Sequence, residues 1–480
     1  MKVNCELEVF LNPKSVAVIG ATERPGSWGS FIMQGLLSKA YRGKIYPINQ
    51  HANQIYGISA YRDVKEITEP IDLAVLTIPE ESIEKTIEAC GEKQIKGVTI
   101  ITAGFGEASG RGRAREKALA ELARGYGMRV LGPNVSGTFN LHAGFNASAS
   151  PSEHVLCNSL AAVCQGGYAF YDLLAFGFSR GMGVGKFIHT GNESDLTTTD
   201  FLEYFGDDPD VQAILMYIEA VRDGKRFFKA ARAVAEKKPI VVYKAGRTSG
   251  AARAARSHTG ALAGESGIYQ GLFKQAGVIL APTMEILLPL GHALIERPPM
   301  RGRKIGVVTM GGSWGVALCD ALEGEGLVVP ELSERLQKSL KFLGMPDRAS
   351  TRNPVDIGAS GLFFSSDVLL GLGREILGSG EVDALILHGM ARPGLLSGNA
   401  PERLKIFLEI NKGVMKGYND LERETGLPVL IGSIFTPWES QATYDLTQHG
   451  IRVYNRIDET AQLLSLMYEY WRVKEGERRG

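Results

Sequence analysis

Long apolar runs are missing from this chain. No stretch of its 480 residues approaches the roughly 18 consecutive apolar side chains of a membrane span. The amino terminus, Met1-Lys2-Val3-Asn4-Cys5-Glu6-Leu7-Glu8, is too acidic and too short in apolar run for a secretory signal. Net charge is missing as well. With 53 Lys and Arg against 53 Asp and Glu, nothing global attracts nucleic acid or an anionic membrane. Cysteine is scarce: Cys5, Cys90, Cys157, Cys164 and Cys319 form no C-x-x-C pair and no Cys/His spacing for zinc. A bound metal is therefore not expected, and a reduced, cytoplasmic compartment is. No G-x-x-x-x-G-K-[ST] string occurs, which removes a P-loop nucleotide site.

Glycine, by contrast, is abundant at 58 residues, as many strand-to-helix turns require. At roughly 150 residues per domain the length suggests about three domains. One pattern occurs three times. Ser15–Ile19 runs into Gly20-Ala21-Thr22-Glu23-Arg24-Pro25-Gly26-Ser27-Trp28-Gly29; Leu160–Cys164 runs into Gln165-Gly166-Gly167; Ile305–Thr309 runs into Met310-Gly311-Gly312-Ser313-Trp314-Gly315. Each is an apolar strand, a glycine turn and a helical stretch, the signature of doubly wound parallel sheets. Further apolar runs at Leu73–Ile78, Val98–Thr102, Ala213–Ile218, Ile240–Tyr243, Ala384–Leu387 and Val429–Ile431 alternate with amphipathic segments such as Phe227–Lys237. The Ala-, Ser- and Asn-rich segment Ala143–Ser159 and the stretch Glu296–Arg303 read as connections, and the charged tail Val473–Gly480 as a frayed end.

The Gly20–Gly29 loop sits where such sheets bind phosphate, at a helix N-terminus. It departs from G-x-G-x-x-G, with Thr22 at the second glycine. The next strand ends Ile45-Tyr46-Pro47-Ile48-Asn49-Gln50, without the acidic residue that holds an NAD ribose. A nicotinamide oxidoreductase is disfavoured on both counts; a purely structural turn remains an alternative. Among the eight histidines, His258 has the most suggestive neighbourhood. Lys244, Arg247, Arg253 and Arg256 lie within fifteen residues of it, amid small residues and glycines. A neutral imidazole there could attack phosphorus while the cations compensate a dianionic phosphate. A surface loop with solvated charges is the competing reading.

Several strings resemble one family. Val16–Ala21, Ile45–Asn49, Ile100-Ile101-Thr102-Ala103-Gly104-Phe105-Gly106-Glu107 and Leu131-Gly132-Pro133-Asn134 resemble the CoA-binding domain of ADP-forming acyl-CoA synthetases, relatives of succinyl-CoA synthetase. Ser257-His258-Thr259-Gly260-Ala261-Leu262-Ala263-Gly264 resembles the phosphohistidine loop of their alpha subunits. Tyr217–Gly224 and Gly191-Asn192-Glu193-Ser194-Asp195 match as well, as do Thr309–Val316 and Arg352-Asn353-Pro354-Val355-Asp356. The resemblance implies an α/β chain of three consecutive doubly wound parallel-sheet domains: a CoA-binding Rossmann-like domain over 1–148, a flavodoxin-like domain carrying the phosphohistidine over 149–297, and a second flavodoxin-like domain over 298–480.

It further implies coenzyme A held by Gly20, Thr22, Arg24, Pro25, Gly29, Asn49, Pro79, Thr102, Ala103, Gly104 and Asn134. His258 would be the phosphoryl carrier and Glu219 the carboxylate that orients its ring. Gln165, Gly166, Gly167, Gly191, Asn192, Gly311 and Gly312 would cradle phosphate. No fourth region is left for an ATP-grasp domain, so Mg-ADP or Mg-ATP would bind a separate ATP-grasp beta subunit in an alpha–beta oligomer. The implied reaction interconverts acyl-CoA, ADP and phosphate with carboxylic acid, CoA and ATP.

Departures from the family pattern are Gln50 and His51 in place of a lysine, Val135 after Gly-Pro-Asn, Met310 in place of a common Asn, a bulky Trp314, and Cys164-Gln165-Gly166-Gly167 where relatives carry Ser-Gln-Ser-Gly. A non-catalytic CoA-binding regulator or scaffold of the same fold is the alternative.

Overall fold

The computed structural model describes residues 6–38, 41–150, 155–251, 253–254, 266–345, 349–358, 365–392 and 402–476. Two compact units emerge: Met1–Phe178 with Gly183–Gly291, and Ser179–Met182 with His292–Gly480.

The first unit contains two sheets. In the first, β1 (Ser15–Ile19), β2 (Lys44–Ile48), β5 (Leu73–Leu76), β6 (Gly97–Ile100) and β7 (Arg129–Leu131) pair in the order β2-β1-β5-β6-β7, all parallel. A hairpin of β3 (Gln54–Ile55) and β4 (Ile58–Ser59) stands apart. β1 and β5 are buried at every position. Their unbroken apolar runs suit strands covered on both faces by crossover helices. Those helices include α1 (Trp28–Ser38), α2 (Ile83–Glu92) and α3 (Gly110–Gly125).

The second sheet has the order β14-β13-β12-β10-β11-β8-β9. Its strands are β8 (Gly137–Asn140), β9 (Phe145–Ser148), β10 (Leu160–Cys164), β11 (Lys186–His189), β12 (Ala213–Ile218), β13 (Ile240–Lys244) and β14 (Ile279–Leu280). Five strands are parallel; β8 and β9 extend them antiparallel.

Here the sequence expectation needs correction. The sheet is mixed rather than wholly parallel, and part of the segment read as a connection is β9. Asn and Ser are depleted from strands, so Asn146-Ala147-Ser148 reads as loop. Its side chains are nevertheless buried, because α1 approaches closely. A Cβ on Gly35 would lie 2.7 Å from the Asn146 carbonyl oxygen. The polar side chains satisfy one another: Asn146 Oδ1 accepts from Ser148 N and Oγ at 3.1 and 2.6 Å. The helices of the parallel part include α4 (Tyr168–Ser179), α5 (Thr198–Asp207) and α6 (Gly224–Ala235).

The second unit carries the third sheet, in the order β16-β15-β17-β18-β19 and all parallel. Its strands are β15 (Ile305–Thr309), β16 (Val355–Asp356), β17 (Ala384–His388), β18 (Val429–Gly432) and β19 (Val453–Tyr454). Of the tail read as frayed, Val473–Gly476 belong to a helix, Ile457–Gly476, whose buried Leu463, Leu464 and Met467 hold it down; 477–480 lie outside the described residues. No helix among the described residues is long and apolar enough to cross a membrane.

All three sheets share one topological property. In each, the second and third strands of the parallel set flank the first, so the chain crosses over in opposite directions from it. At this switch point two loops diverge and leave a crevice at the strands' C-terminal ends. The loops are Gly20–Ser27 and Thr77–Pro79 in the first sheet, Gln165–Gly167 and Glu219–Arg222 in the second, and Met310–Gly311 and Gly389–Met390 in the third.

Within the second unit, Glu296 joins His292 Nδ1 at 2.7 Å and the Arg452 guanidinium at 2.8 Å. Burial alone would raise its pKa, but the bonds from His292 and Arg452 win and hold it at about 2. A carboxylate depressed in the folded state contributes stability that is fully present above its unfolded pKa and is lost as pH falls through the folded one. We predict a loss of order 2 kcal/mol between about pH 4.5 and 2, followed by denaturant titration of the second unit's transition. In Glu296→Gln that acid limb should flatten; an unchanged limb would remove Glu296 from its origin.

Candidate active site at the second switch point

At the first sheet's switch point, β1 ends in Gly20, whose φ of +95° turns the chain sharply away. A Cβ on Gly20 would lie 2.7 Å from Thr77 Oγ1, and one on Gly29 would lie 2.1 Å from the Gly20 carbonyl oxygen. The two glycines, nine residues apart, thus let the N-terminus of α1 pack directly on the loop. This is the close helix approach that G-x-G-x-x-G achieves with different spacing.

Asn49 closes the next side. Its amide donates to Ala21 O at 2.8 Å while its Oδ1 accepts from His51 N and Ala52 N, both at 2.8 Å. The position where an NAD enzyme keeps a ribose ligand is therefore committed to backbone. Thr22 Oγ1 accepts from Arg24 N at 3.2 Å, and Arg24 and Pro25 lie exposed at the rim. Pro79 follows β5, and Thr102 donates to Ile78 O at 2.6 Å, setting Ala103 and Gly104 beside it. Gly104 has φ +110°, and a Cβ there would meet Glu80 Oε2 at 2.6 Å. Asn134 links this edge onward: its N–H donates to Thr102 O at 3.0 Å and its amide to Asn192 Oδ1 at 3.2 Å.

The second sheet's switch point is more elaborate. Glu219, at the end of β12, is 4% exposed. Gln165, at the end of β10, clasps the neighbouring loop. Its Oε1 accepts from Glu219 N and Ala220 N at 2.6 and 2.9 Å, and its Nε2 donates to Ala220 O at 2.7 Å.

His189, at the end of β11, supports Gln165 from behind. Its Nδ1 accepts from the Ser136 N–H at 2.7 Å, so the ring proton sits on Nε2 and is donated to Gln165 O at 2.9 Å. Gly167 is required by this contact, because a Cβ would fall 2.4 Å from His189 Nδ1.

Lys244 underpins the other flank. Its ammonium donates to Glu219 O at 2.7 Å and to Ala245 O, and lies 4.5 Å from the Tyr269 ring. Burial lowers its pKa. The Tyr217 hydroxyl faces Glu219 Oε1 at 3.5 Å. Burial first, and then the Glu219 charge, push this phenol up, so it stays a donor.

A cavity of about 590 Å³ opens between these loops. Gly166 and Gly167 at the start of α4, Glu219, Tyr217 and Tyr243 line it, together with Ala251 and Ala254. An anion in it would meet the N-terminus of the twelve-residue helix α4, with its orphan N–H groups and positive dipole end. His258 lies outside the described residues, four positions beyond Ala254.

Two family descriptions match the chain: a CoA binding domain over residues 14–139 and a succinyl-CoA ligase like flavodoxin domain over 158–294. The ADP-forming acetate–CoA ligase I alpha subunit of Pyrococcus furiosus is 36% identical, over 98% of this chain and 100% of that protein. The chain belongs to the ADP-forming acetate–CoA ligase alpha-subunit family. The corresponding ligase II alpha subunit of that organism is 39% identical over 74% of this chain and 76% of its own. Among solved structures, a dinucleotide-forming acetyl-coenzyme A synthetase 1 of Ca. Korarchaeum cryptofilum, determined with phosphate and ADP, superposes with a TM-score of 0.84. It is 32% identical, and the match covers 98% of each chain.

Within this ligase alpha subunit, the structure gathers Gly166, Gly167 and Glu219 at one cavity, with Gln165 bonded to the Glu219 backbone beside it. Gly191 and Asn192 are placed elsewhere. A Cβ on Gly191 would strike Pro133 O at 2.4 Å, and the Asn192 amide donates to Glu107 and Glu116. Burial raises the pKa of Glu116. For Glu107, burial is outweighed by N–H donors from Gly104, Asn192 and Phe105, and the pKa falls. Gly311 and Gly312 lie in the second unit, where Gly311 caps the helix Gly312–Gly324.

Two of the four cations expected around phosphate are engaged otherwise. Lys244 is described above; Arg247 donates to Pro282 O at 2.5 Å and covers the Tyr243 ring at 5.1 Å.

Sequence reasoning missed His189, Ser136 and the structural role of Lys244. A polar residue closing an apolar strand just before a glycine turn, as in Lys186-Phe187-Ile188-His189-Thr190-Gly191, is the available signal for the first.

Gln165→Leu removes one acceptor from two backbone N–H groups, each worth about 1–3 kcal/mol, and loosens Glu219. Because misplacement near 1 Å can cost about 10²-fold, we predict that kcat falls roughly 10- to 100-fold with the KM for the CoA thioester nearly unchanged. Steady-state kinetics showing a wild-type kcat would sink this role.

Proposed function

We propose that this chain is the CoA-binding, phosphoryl-carrying half of an ADP-forming acid–CoA ligase, acting with an ATP-grasp beta subunit in the cytoplasm. The observation that carries the reading is the convergence of Glu219, the glycine-rich start of α4 and Ala254 on one cavity. The carrier candidate lies four residues farther along the chain. The alpha designation of the Pyrococcus furiosus relatives supports a second subunit.

In the ATP-forming direction, a phosphate oxygen attacks the thioester carbonyl of an acyl-CoA held at the first switch point. The C–S bond breaks, CoA leaves as a thiolate that takes up a proton, and an acyl phosphate remains. An imidazole nitrogen of His258 attacks its phosphorus, the P–O bond to the acyl group breaks, and the carboxylate departs. The α4 N-terminus stabilises the charge that develops on the phosphoryl oxygens. Glu219 accepts the N–H of the other ring nitrogen, leaving the attacking nitrogen's lone pair free and favouring the imidazolium that forms. Mg-ADP on the partner then takes the phosphoryl group. Gly311-Gly312 would present a second helix N-terminus to phosphate, and Gly191-Asn192 would position the CoA-side edge. The three sheets would then correspond to the segments 1–148, 149–297 and 298–480.

The loss of a hydroxyl at Gly166 favours a second reading, a CoA-binding regulator that has given up catalysis. One experiment separates the two. The purified chain is incubated with acetyl-CoA or a panel of acyl-CoAs plus phosphate, and peptides are read by mass for acid-labile phosphate. We predict phosphate on His258, and its complete absence in His258→Ala. Phosphorylation and synthetase turnover that survive in His258→Ala would overturn the assignment. Absence from the wild type, even with an ATP-grasp partner and Mg-ATP, would leave the regulator.

A further inference from the structure

We propose that Asn192 is a positioning residue that registers the CoA-side loop after β6 (101–109) against the Glu219 loop after β12 (219–223). An acyl phosphate made beside the first is thereby presented in register to the phosphoryl carrier beside the second. The inference rests on the function proposed above. Both loops and Asn192 belong to the first unit.

Asn192 is 3% exposed, and each of its polar atoms is engaged. Its N–H donates to Pro133 O at 3.0 Å, and its Oδ1 accepts from the Asn134 amide at 3.2 Å. Its own amide nitrogen donates to both Glu107 Oε2 and Glu116 Oε1. Its carbonyl oxygen accepts from Arg222 Nη2 at 2.5 Å. Segments around residues 107, 116, 134 and 222 therefore meet at one buried residue.

The neighbours carry the link onward. Glu107 Oε1 accepts from Gly104 N at 2.5 Å and Phe105 N at 3.1 Å, so it sets the backbone of the loop assigned to CoA. Ala103 and Gly104 are exposed there and Phe105 is buried, which leaves an accessible surface on an anchored base. Glu116 accepts from Gly106 N at 2.9 Å and holds the next turn of the same loop. On the other side, Arg222 stands three residues beyond Glu219. Gln165 fixes that loop at Glu219 and Ala220, and the Arg222 bond fixes its far end.

The chemistry of the junction leaves few alternatives to asparagine. Two carboxylates converge on one point. A short side chain with two N–H donors and one acceptor serves both and still accepts from Asn134. Burial raises the pKa of Glu116, and the bonds from Asn192 and Gly106 and the charge of Arg222 oppose it. A shift of either loop would leave a buried donor or acceptor unpaired here, which is costly.

The test breaks the link and reads its two sides separately. Arg222 has a side chain 53% exposed, so Arg222→Met removes the bond with little effect on the fold. Three quantities are measured on the full chain: the Kd of CoA by calorimetry, His258 phosphorylation from acetyl phosphate, and His258 phosphorylation from acetyl-CoA plus phosphate. We expect the first two to stay near wild type, while kcat of the third falls at least about tenfold through misplacement. Asn192→Ser should show the same split, and the double variant should be no slower than the worse single one. A wild-type rate from acetyl-CoA plus phosphate in Arg222→Met overturns the link. Equal losses from both phosphoryl donors overturn it too, leaving a structural brace, and additive losses in the double variant overturn the shared path. A wild-type chain that gains no phosphohistidine from either donor overturns the ligase reading itself.

Discussion

Everything catalytic in this chain depends on the reversal of winding direction within a parallel sheet. Parallel strands need long right-handed crossovers. When successive crossovers leave the first strand in opposite directions, their loops part and the C-terminal ends of two neighbouring strands stay uncovered. The helix that follows opens onto this gap with N–H groups that have no intrahelical acceptor. Anion binding is the natural use of such a gap. The first unit makes two of them and the second unit one.

The three differ in what braces the diverging loops. At the first, packing does it: Gly20 and Gly29 bring α1 and the loop after β5 into van der Waals contact, and the Asn49 amide helps tie the β1 loop to the β2 loop. At the second, a side-chain chain does it: Ser136 fixes the His189 tautomer, His189 holds Gln165 O, and Gln165 clasps the backbone of Glu219 and Ala220. In the second unit, by itself, Met310 N donates to His388 O at 3.1 Å, and the His388 ring lies 5.1 Å from that of Trp314. Burial lowers this imidazole to about 4, so it is neutral at physiological pH. A fixed polar brace suits a carboxylate proposed to hold a ring in one orientation. Packing suffices for a loop proposed to bind through its backbone.

The antiparallel extension of the second sheet explains where the brace originates. Ser136 lies just before β8, and β8 pairs with β11, the strand that ends in His189. Without β8 the sheet would still be doubly wound, but His189 would lack the donor that sets its tautomer. The same stretch joins the two sheets of this unit. The Gly132-Pro133-Asn134 turn lies against Gly191 and Asn192, and the Asn192 amide reaches Glu107 and Glu116 near the CoA-side edge.

Much of this was legible in the sequence. Ser15–Ile19, Leu160–Cys164, Ala213–Ile218 and Ile305–Thr309 have the bounds their apolar runs imply, since a strand covered on both faces admits no polar residue until it ends. The glycine turns were legible for the same reason: close backbone approach leaves few alternatives to glycine. Segments whose partners are distant were not. Asn146-Ala147-Ser148 becomes a strand only because α1 and β8 flank it, and Lys244 becomes a buried strut only because the end of β12 delivers the Glu219 carbonyl within reach.

What the sequence alone determined is the set of local preferences and strings: the strand runs, the turns, and the family resemblance around Glu219 and His258. Tertiary structure alone decided which groups share a cavity and which cations are already committed to carbonyls. Those outcomes depend on strand order. Local sequence sets the backbone geometry of each loop, but only the order in which strands pair brings two loops, more than fifty residues apart in the chain, within one hydrogen bond of each other.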